Sequence, residues 1–400
     1  MSWPQAKLGD AISFIRGVTF KPGDQVEPLT TGSTVVMRTK NVQVAGLDQS
    51  DLIAIPSELV RRKEQALQEG DILISSANSW ELVGKASYVP RLDYRATAGG
   101  FISIVRAKQK VIDSRYLYHW ITSSSSQHKI RHCGRQTTNI SNLDVGRFKE
   151  LEIPLPPLTE QKHIAAILDK ADAIRRKRQQ AIQLADEFLR AVFLDMFGDP
   201  VTNPKGFPVT KLGELCEDLF LGLTSKVDYI DGTGGYPLVR AKDINTGELN
   251  FDDVRFISED QHKKLTKNHL TRKGDLLVSK SGTLGTCAIV RTDREFSTYE
   301  SIFTVRPDRT KLDIHYLIHL LQNKSFKEKL IGNKVGGTVA HLNLKMFRDF
   351  EIGVPPIETQ RLFSDAIIKG EAKLEKYRQS DHGSGLLFNS LSKKAFSGEL

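Results

Sequence analysis

The sequence predicts a mixed α/β (α+β) protein built from two copies of one unit. Each copy is a globule followed by a long helix, and the two helices pack as an antiparallel coiled coil to give a pseudo-twofold internal repeat. Three observations predict this. A proline phrase recurs at a fixed shift, an apolar stripe at helical spacing follows each copy of it, and each globule holds short alternating apolar runs between Gly, Asp and Pro turns. The phrase is Leu151-Glu152-Ile153-Pro154-Leu155-Pro156-Pro157-Leu158, which returns as Phe350-Glu351-Ile352-Gly353-Val354-Pro355-Pro356-Ile357. The same shift of 199 places Gln161 on Gln360 and Phe197 on Phe396.

The first globule is expected over 1–150. Runs such as Thr34-Val35-Val36-Met37 and Phe101-Ile102-Ser103-Ile104-Val105 read as short strands. Gly70-Asp71-Ile72-Leu73-Ile74-Ser75 reads as a tight turn entering a buried strand, and it returns as Gly274-Asp275-Leu276-Leu277-Val278-Ser279. Asp113 and Asp313 each open Asp-x-x-Tyr-Leu-x-His, an N-cap followed by apolar residues at helical spacing, with His119 and His319 read as packed helix residues.

Residues 151–199 form the first proline hinge and long helix. Positions 164, 167, 171, 174, 178, 181, 185, 188 and 192 step by three and four, a heptad seam with one polar break at Arg178. Gly198, Pro200 and Pro204 then mark a boundary, and the second globule spans 200–349. Residues 350–400 repeat the hinge and helix, with Phe363, Ile367, Leu374, Tyr377, Phe388 and Leu391 at compatible spacing. The polar run 379–385, with Gly383 and Gly385, predicts a kink or break in that helix.

Composition narrows the function classes. Lys and Arg number 57 against 48 Asp and Glu, a formal charge of +9 that favours an anionic partner such as nucleic acid. Cys133, Cys216 and Cys287 lack zinc or disulfide spacing and read as buried free thiols in a reducing cytoplasm. The start of the chain shows no apolar signal core, and no run approaches the ~18 apolar residues of a membrane span, so a cytoplasmic protein without membrane contact is expected. Gly274 to Ser281 imitates a phosphate loop, but Ser279 stands where the second glycine belongs and the first copy has no lysine. Gly232 to Gly235 reads as a surface turn. Neither a methyltransferase motif of the Asn-Pro-Pro-Tyr type, nor HExxH, nor GxSxG occurs, so no catalytic centre and no metal site is assigned.

The candidate DNA-binding residues sit at strand ends and in polar loops. Arg38, Lys40 and Asn41 follow a strand in the first globule, as Arg240 and Lys242 do in the second, where cations suit phosphates or a guanine edge. Ser75 and Ser76, and in the second copy Lys280 and Ser281, emerge at the end of the strand after the Gly-Asp turn. Two polar loops supply Arg135, Thr137, Thr138 and Asn139, and Lys334, Thr338 and His341. Arg175 to Arg178 is the densest basic cluster and reads as a solvated or partner-facing helix surface, with contact to the DNA backbone as the alternative. Pro156, Pro157, Ile167, Phe188, Pro355 and Pro356 are the candidate partner contacts.

Taken together, the paired proline phrases with their glutamines and the repeated Gly-Asp-Ile/Leu-Leu turn make the chain resemble, along its whole length, a specificity subunit of a type I restriction-modification system. The resemblance implies two target recognition domains separated by two helices that act as a ruler. It also implies double-stranded DNA as ligand, two modification subunits that use S-adenosylmethionine to methylate adenine, and restriction subunits that use ATP and magnesium. The chain itself would hold no cofactor and read a split, asymmetric site. The alternatives are a helical protein-interaction scaffold whose basic charge is incidental, which salt-dependent DNA binding discriminates, and a methyltransferase fused to a reader, against which the missing motif argues.

Overall fold

The computed structural model describes residues 3–136, 140–222, 227–244, 248–280, 285–332 and 343–400. The chain divides into two compact units, Met1–Ala181 with Tyr377–Leu400, and Ile182–Lys376. Each unit thus holds one globule, the start of the long helix that follows it, and the end of the other long helix.

In the first unit a four-stranded antiparallel sheet runs in the order Ile12–Arg16, Ile102–Ala107, Ile72–Ser75, Ala86–Tyr88. A second sheet places Ser33–Met37 between Ala96–Ala98, parallel, and Ile53–Pro56, antiparallel. The second unit repeats the first of these with Cys216–Leu221, Ile302–Pro307, Leu276–Ser279 and Cys287–Ile289. Its other sheet sets Tyr236–Val239 between Ser297–Thr298, parallel, and Arg255–Ile257, antiparallel. The main departure is a helix, Glu259–Thr266, where the first unit has two short 3₁₀ turns.

The repeated Gly-Asp turn has a physical reason in both units. Gly70 and Gly274 adopt φ of +92° and +89°, a conformation that suits glycine. The next residue, Asp71 or Asp275, is buried and accepts a forked pair of bonds from Arg106 at 2.7 and 2.7 Å or from Arg306 at 2.9 and 2.7 Å. Its carboxylate also accepts the backbone N–H of Gln68 or Arg272, closing the turn.

The proline phrase is fastened by an equivalent set of bonds in each unit. Asp113 and Asp313 cap their helices as the sequence predicts, accepting from the N–H groups two and three residues on. Gln161, buried, accepts from Asp113 N at 2.8 Å and donates to the carbonyls of Pro156 and Val111. Gln360 does the same with Asp313 N, Pro355 and Lys311. Tyr116 Oη donates to the Pro154 carbonyl at 2.8 Å and Tyr316 Oη to Gly353 at 2.7 Å, so the proline-to-glycine change leaves that bond in place.

The long helices are Leu158–Phe197 and Ile357–Ser397. The second is a single helix through 383 and 385, where a kink or break was expected. Packing on both sides of that stretch, by Phe363, Ile367 and Leu374 before it and by Phe388, Leu391 and Ala395 after it, outweighs a propensity cost of ~1 kcal/mol per glycine.

Within each unit the helix segments run antiparallel. In the second, Leu189 lies against Gly370, and the rings of Phe193 and Phe197 meet Phe363 at 5.6 and 5.3 Å. In the first, Ile164, Ala165 and Leu168 share a core with Ala395, and the Arg175 guanidinium lies 5.6 Å from the Phe388 ring.

The seam differs from the one the sequence suggests. Leu168, Asp172, Leu189, Phe193 and Phe197 are buried, whereas Ile174, Phe188 and Tyr377 face out, Phe188 with 66% exposure. Steps of three and four fit two neighbouring frames on this helix, and the larger apolar residues select the other one.

Candidate nucleic-acid interface

The strand order brings one set of strand ends together in each unit. In the first, Met37 pairs with Ala98, Ser75 with Ile102 and Arg16 with Ser103. Residues 17, 38, 76 and 99–101 therefore leave the two sheets at one rim. In the second, Val239 pairs with Thr298, Ser279 with Ile302 and Leu221 with Phe303, which places 222, 240, 280 and 299–301 at the equivalent rim. Gly17 and Gly222 permit the crossing. A Cβ there would lie 2.2 Å from the Gly99 or Tyr299 carbonyl oxygen.

The cationic turns at these rims are built alike. Arg38 N donates to Asn41 Oδ1 at 2.8 Å, and Arg240 N to Asp243 Oδ2 at 2.8 Å. Arg38 Nη2 donates to the Asp51 carbonyl at 3.2 Å, and Arg240 Nη2 to the Asp253 carbonyl at 3.1 Å. Lys40 pairs with the Asp51 carboxylate and Lys242 with that of Asp253. The loops between are also pinned alike, by Asp48 N to the Asn41 carbonyl and by Asn250 N to the Asp243 carbonyl.

Backbone bonds join further candidates to these turns. In the second unit Ser301 Oγ accepts from Ala241 N and the Ser301 carbonyl from Lys280 N, setting Lys280 beside the Arg240 turn. In the first, Ser76 N and Ser76 Oγ both donate to the Phe101 carbonyl, two residues beyond Gly99, whose N–H bonds Met37. Arg135 lies on the strand Gly134–Gln136, which reaches Ala77 and Asn78 through Ser141–Leu143; its exposed guanidinium pairs with Asp144 at 2.6 Å. Arg38, Lys40, Ser76 and Arg135 thus share one rim region, and Arg240, Lys242 and Lys280 the other. Thr137, Thr138, Asn139, Ser281, Lys334, Thr338 and His341 lie outside the described residues.

Two expected contacts are corrected. Asn41 and Ser75 are wholly buried. The Asn41 amide spends its groups on Arg38 N and on the Asp48 and Asp51 carbonyls, and Ser75 Oγ accepts from Asn78 Nδ2. Both shape the rim from inside. Of the partner candidates, Pro157, Pro356 and Phe188 are exposed, Ile167 is half-buried, and Pro156 and Pro355 are buried with their carbonyls held by the glutamines.

Sequence reasoning missed Phe101, 64% exposed at the first rim, and the acids Asp51 and Asp253. The signal for the acids was present: each stands 13 residues after its arginine, 38 to 51 and 240 to 253. Among the described residues, no group of three or more His, Cys, Asp or Glu is placed to hold a metal ion, and no helix is long and apolar enough to cross a membrane. Burial raises all three thiols, Cys216 and Cys287 to about 12, which keeps them protonated.

The type I restriction modification DNA specificity domain matches residues 3–184 and 204–380, one match for each copy of the repeat. The EcoKI specificity subunit of Escherichia coli (strain K12) is 28% identical over 305 residues, 72% of this chain; the match spans 64% of that relative, under two thirds of its length. The StySPI specificity subunit of Salmonella potsdam is 24% identical over 422 residues, 100% of this chain and 89% of that protein. In fold, the chain is similar to the S subunit of a type I restriction-modification system from M. genitalium, with a TM-score of 0.59, 16% identity and coverage of 99% and 96% of the two chains. A chain from a structure of a type I R-M system gives 0.53 at 17% identity, covering 100% and 98%. With both halves matched by the specificity domain, the chain belongs to the family of type I restriction-modification specificity subunits.

Proposed function

We propose that the two rims read the two halves of a bipartite, asymmetric site in double-stranded DNA, and that this chain performs no chemistry itself. The observation that carries the reading is the recurrence of one cationic turn on two rims that otherwise differ: Arg38, Lys40, Ser76 and Arg135 surround the first, Arg240, Lys242 and Lys280 the second. Identical readers would suit a symmetric site, and unlike readers suit an asymmetric one. Adenine methylation would fall to two modification subunits carrying S-adenosylmethionine. Cleavage would fall to restriction subunits using ATP and magnesium. Exposed Pro157, Pro356 and Phe188, with the outward-facing Ile174, Leu184 and Leu362, offer those subunits apolar contacts on the hinges and helices.

The test is methylome sequencing of a host expressing the chain with its modification partner. Arg240→Ala should relax or weaken one half-site and leave the other intact, at ~1–3 kcal/mol for a bidentate base contact. An unchanged methylated motif and unchanged DNA affinity would remove the rim from the interface. The scaffold alternative predicts weak DNA binding that salt abolishes and that shows no preferred sequence above that background.

A further inference from the structure

The rim cations are not presented bare. In both units the lysine of the turn meets the carboxylate of the acid 13 residues after the arginine, and the arginine donates to that acid's carbonyl. This clasp recurs although the residues between differ almost completely, Val42 to Ser50 against Ile244 to Asp252. A feature kept between two copies that have diverged around it serves something both copies do. Fixing the loop alone does not require the carboxylate of Asp51 or Asp253, because their backbone carbonyls and the buried Asn41 or Asp243 already close the turn.

We propose that Asp51 and Asp253 are positioning residues, which hold the rim lysines oriented but neutralised so that a DNA phosphate engages them only by displacing a carboxylate. The proposal rests on the rims being the DNA-facing surfaces. Both acids are exposed, Asp253 at 92% of its side chain, so the ion pairs are of the weak, solvent-screened kind that an incoming phosphate can exchange. The carbonyl bonds survive that exchange and keep the loop in shape. On random DNA a carboxylate must be given up for one phosphate contact; on the right site, base contacts nearby are gained as well. The exchange costs the same on both, so the clasp lowers affinity everywhere and leaves bound only those sites whose base contacts offset it. The two copies also differ in charge. Arg38 and Lys40 face one acid, whereas Arg240 and Lys242 face two, because Asp243 replaces Asn41 and accepts from Arg240 Nε. The second clasp is neutral and the first retains one positive charge, so removing one acid leaves the second cation pair less free than the first.

The test uses the full-length chain and a random-sequence duplex in fluorescence anisotropy across a salt series. Asp51→Asn should tighten non-specific binding about fivefold at low salt and steepen the slope of log K against log salt by ~0.9, the signature of one added phosphate contact; Asp253→Asn should act in the same direction but less. Each gain should vanish in the Lys40→Ala or Lys242→Ala background, which separates a clasp from a general change in net charge. With the modification partner, Asp51→Asn should spread methylation beyond the wild-type motif. Asp51→Ser, which loses the carboxylate but keeps the carbonyl, should reproduce the gain if the amide distorts the turn. Absence of any gain from all three acid variants, or a gain with unchanged salt slope, overturns the proposal while the rim reading stands, provided Lys40→Ala and Lys242→Ala weaken binding. If those lysine variants bind as wild type, the rim reading itself falls.

Discussion

The sockets that seat the two long helices share a frame and differ in filling. In the first unit His119, 2% exposed, bonds Asp169 at 2.7 Å, and Arg115 pairs with the same carboxylate while lying 4.4 Å over the Tyr88 ring. One turn on, Asp172 holds Arg175 and Arg176. In the second unit His319 sits instead among aromatic rings, 5.1 Å from Phe363 and 6.2 Å from Phe193, with Tyr316 and Phe197 beside them. The shift of 199 puts Phe363 where the first unit has Ile164, and Phe193 where it has Ser392. The glutamine clamp and the tyrosine bond are kept, so the helix entry is set by hydrogen bonds, while the surrounding packing was free to become ionic in one copy and aromatic in the other.

The aromatic socket should be the more sensitive to truncation. Phe363→Ala removes a wholly buried ring at the meeting point of Phe193, Phe197 and His319 and should destabilise the second unit by ~3–5 kcal/mol. Hydrogen exchange resolved by peptide reads the units separately, and the loss should not change with salt. A large salt dependence would show that this socket is held by charge after all.

The clamp tests what the copies share. Gln161→Leu and Gln360→Leu each strand a buried N–H and two carbonyls, at roughly 1–3 kcal/mol, and the two losses should match. Unequal losses would mean that the filling, not the clamp, seats one of the helices.

Much of this was legible in the sequence because it is local or repeated. The Gly-Asp turns, the Asp113 and Asp313 caps and the shift that pairs Gln161 with Gln360 are all visible in the chain. The helix frame was not, since steps of three and four fit two neighbouring stripes, and only packing against Ala395 or Phe363 decides that Leu168, Leu189 and Phe193 face in while Phe188 faces out. Nor were the Asp51 and Asp253 clasps, the burial of Asn41 and the unbroken helix through 383 and 385, since loop closure and tertiary packing decide them.

The ionic socket should respond more weakly and to salt. Asp169→Asn leaves Arg115 without its ion pair and His119 with a poorer partner, but the carboxylate is about a third exposed, so the expected loss is about 1 kcal/mol. High salt should shrink the difference between wild type and variant. The substitution at the matching position, Ile368→Asn, falls on an exposed residue and should stay within ~0.5 kcal/mol.

Acid separates the two sockets most finely. Burial, reinforced by the nearby charges of His315 and Arg190, pushes His319 down to about 4 from its ordinary 6.5. Burial likewise lowers His315, against the pull of Glu371 and Asp313. The unfolded chain therefore takes up protons at these residues at a pH where the folded second unit does not, and that unit loses stability as pH falls from 6.5 toward 4. Asp169 works in a lower window. Burial raises it, but the bonds from His119 and Arg115 outweigh burial and hold it at about 2, below its ordinary 3.8. Its contribution is complete above 3.8 and is lost only between there and about 2. Exchange protection measured between pH 6.5 and 4 should then weaken around Phe193, Tyr316 and Phe363 before it weakens around Tyr116 and Leu168. His319→Phe should flatten that slope in the second unit alone, and equal acid sensitivity in both sockets would show that the histidine's aromatic setting does not control it.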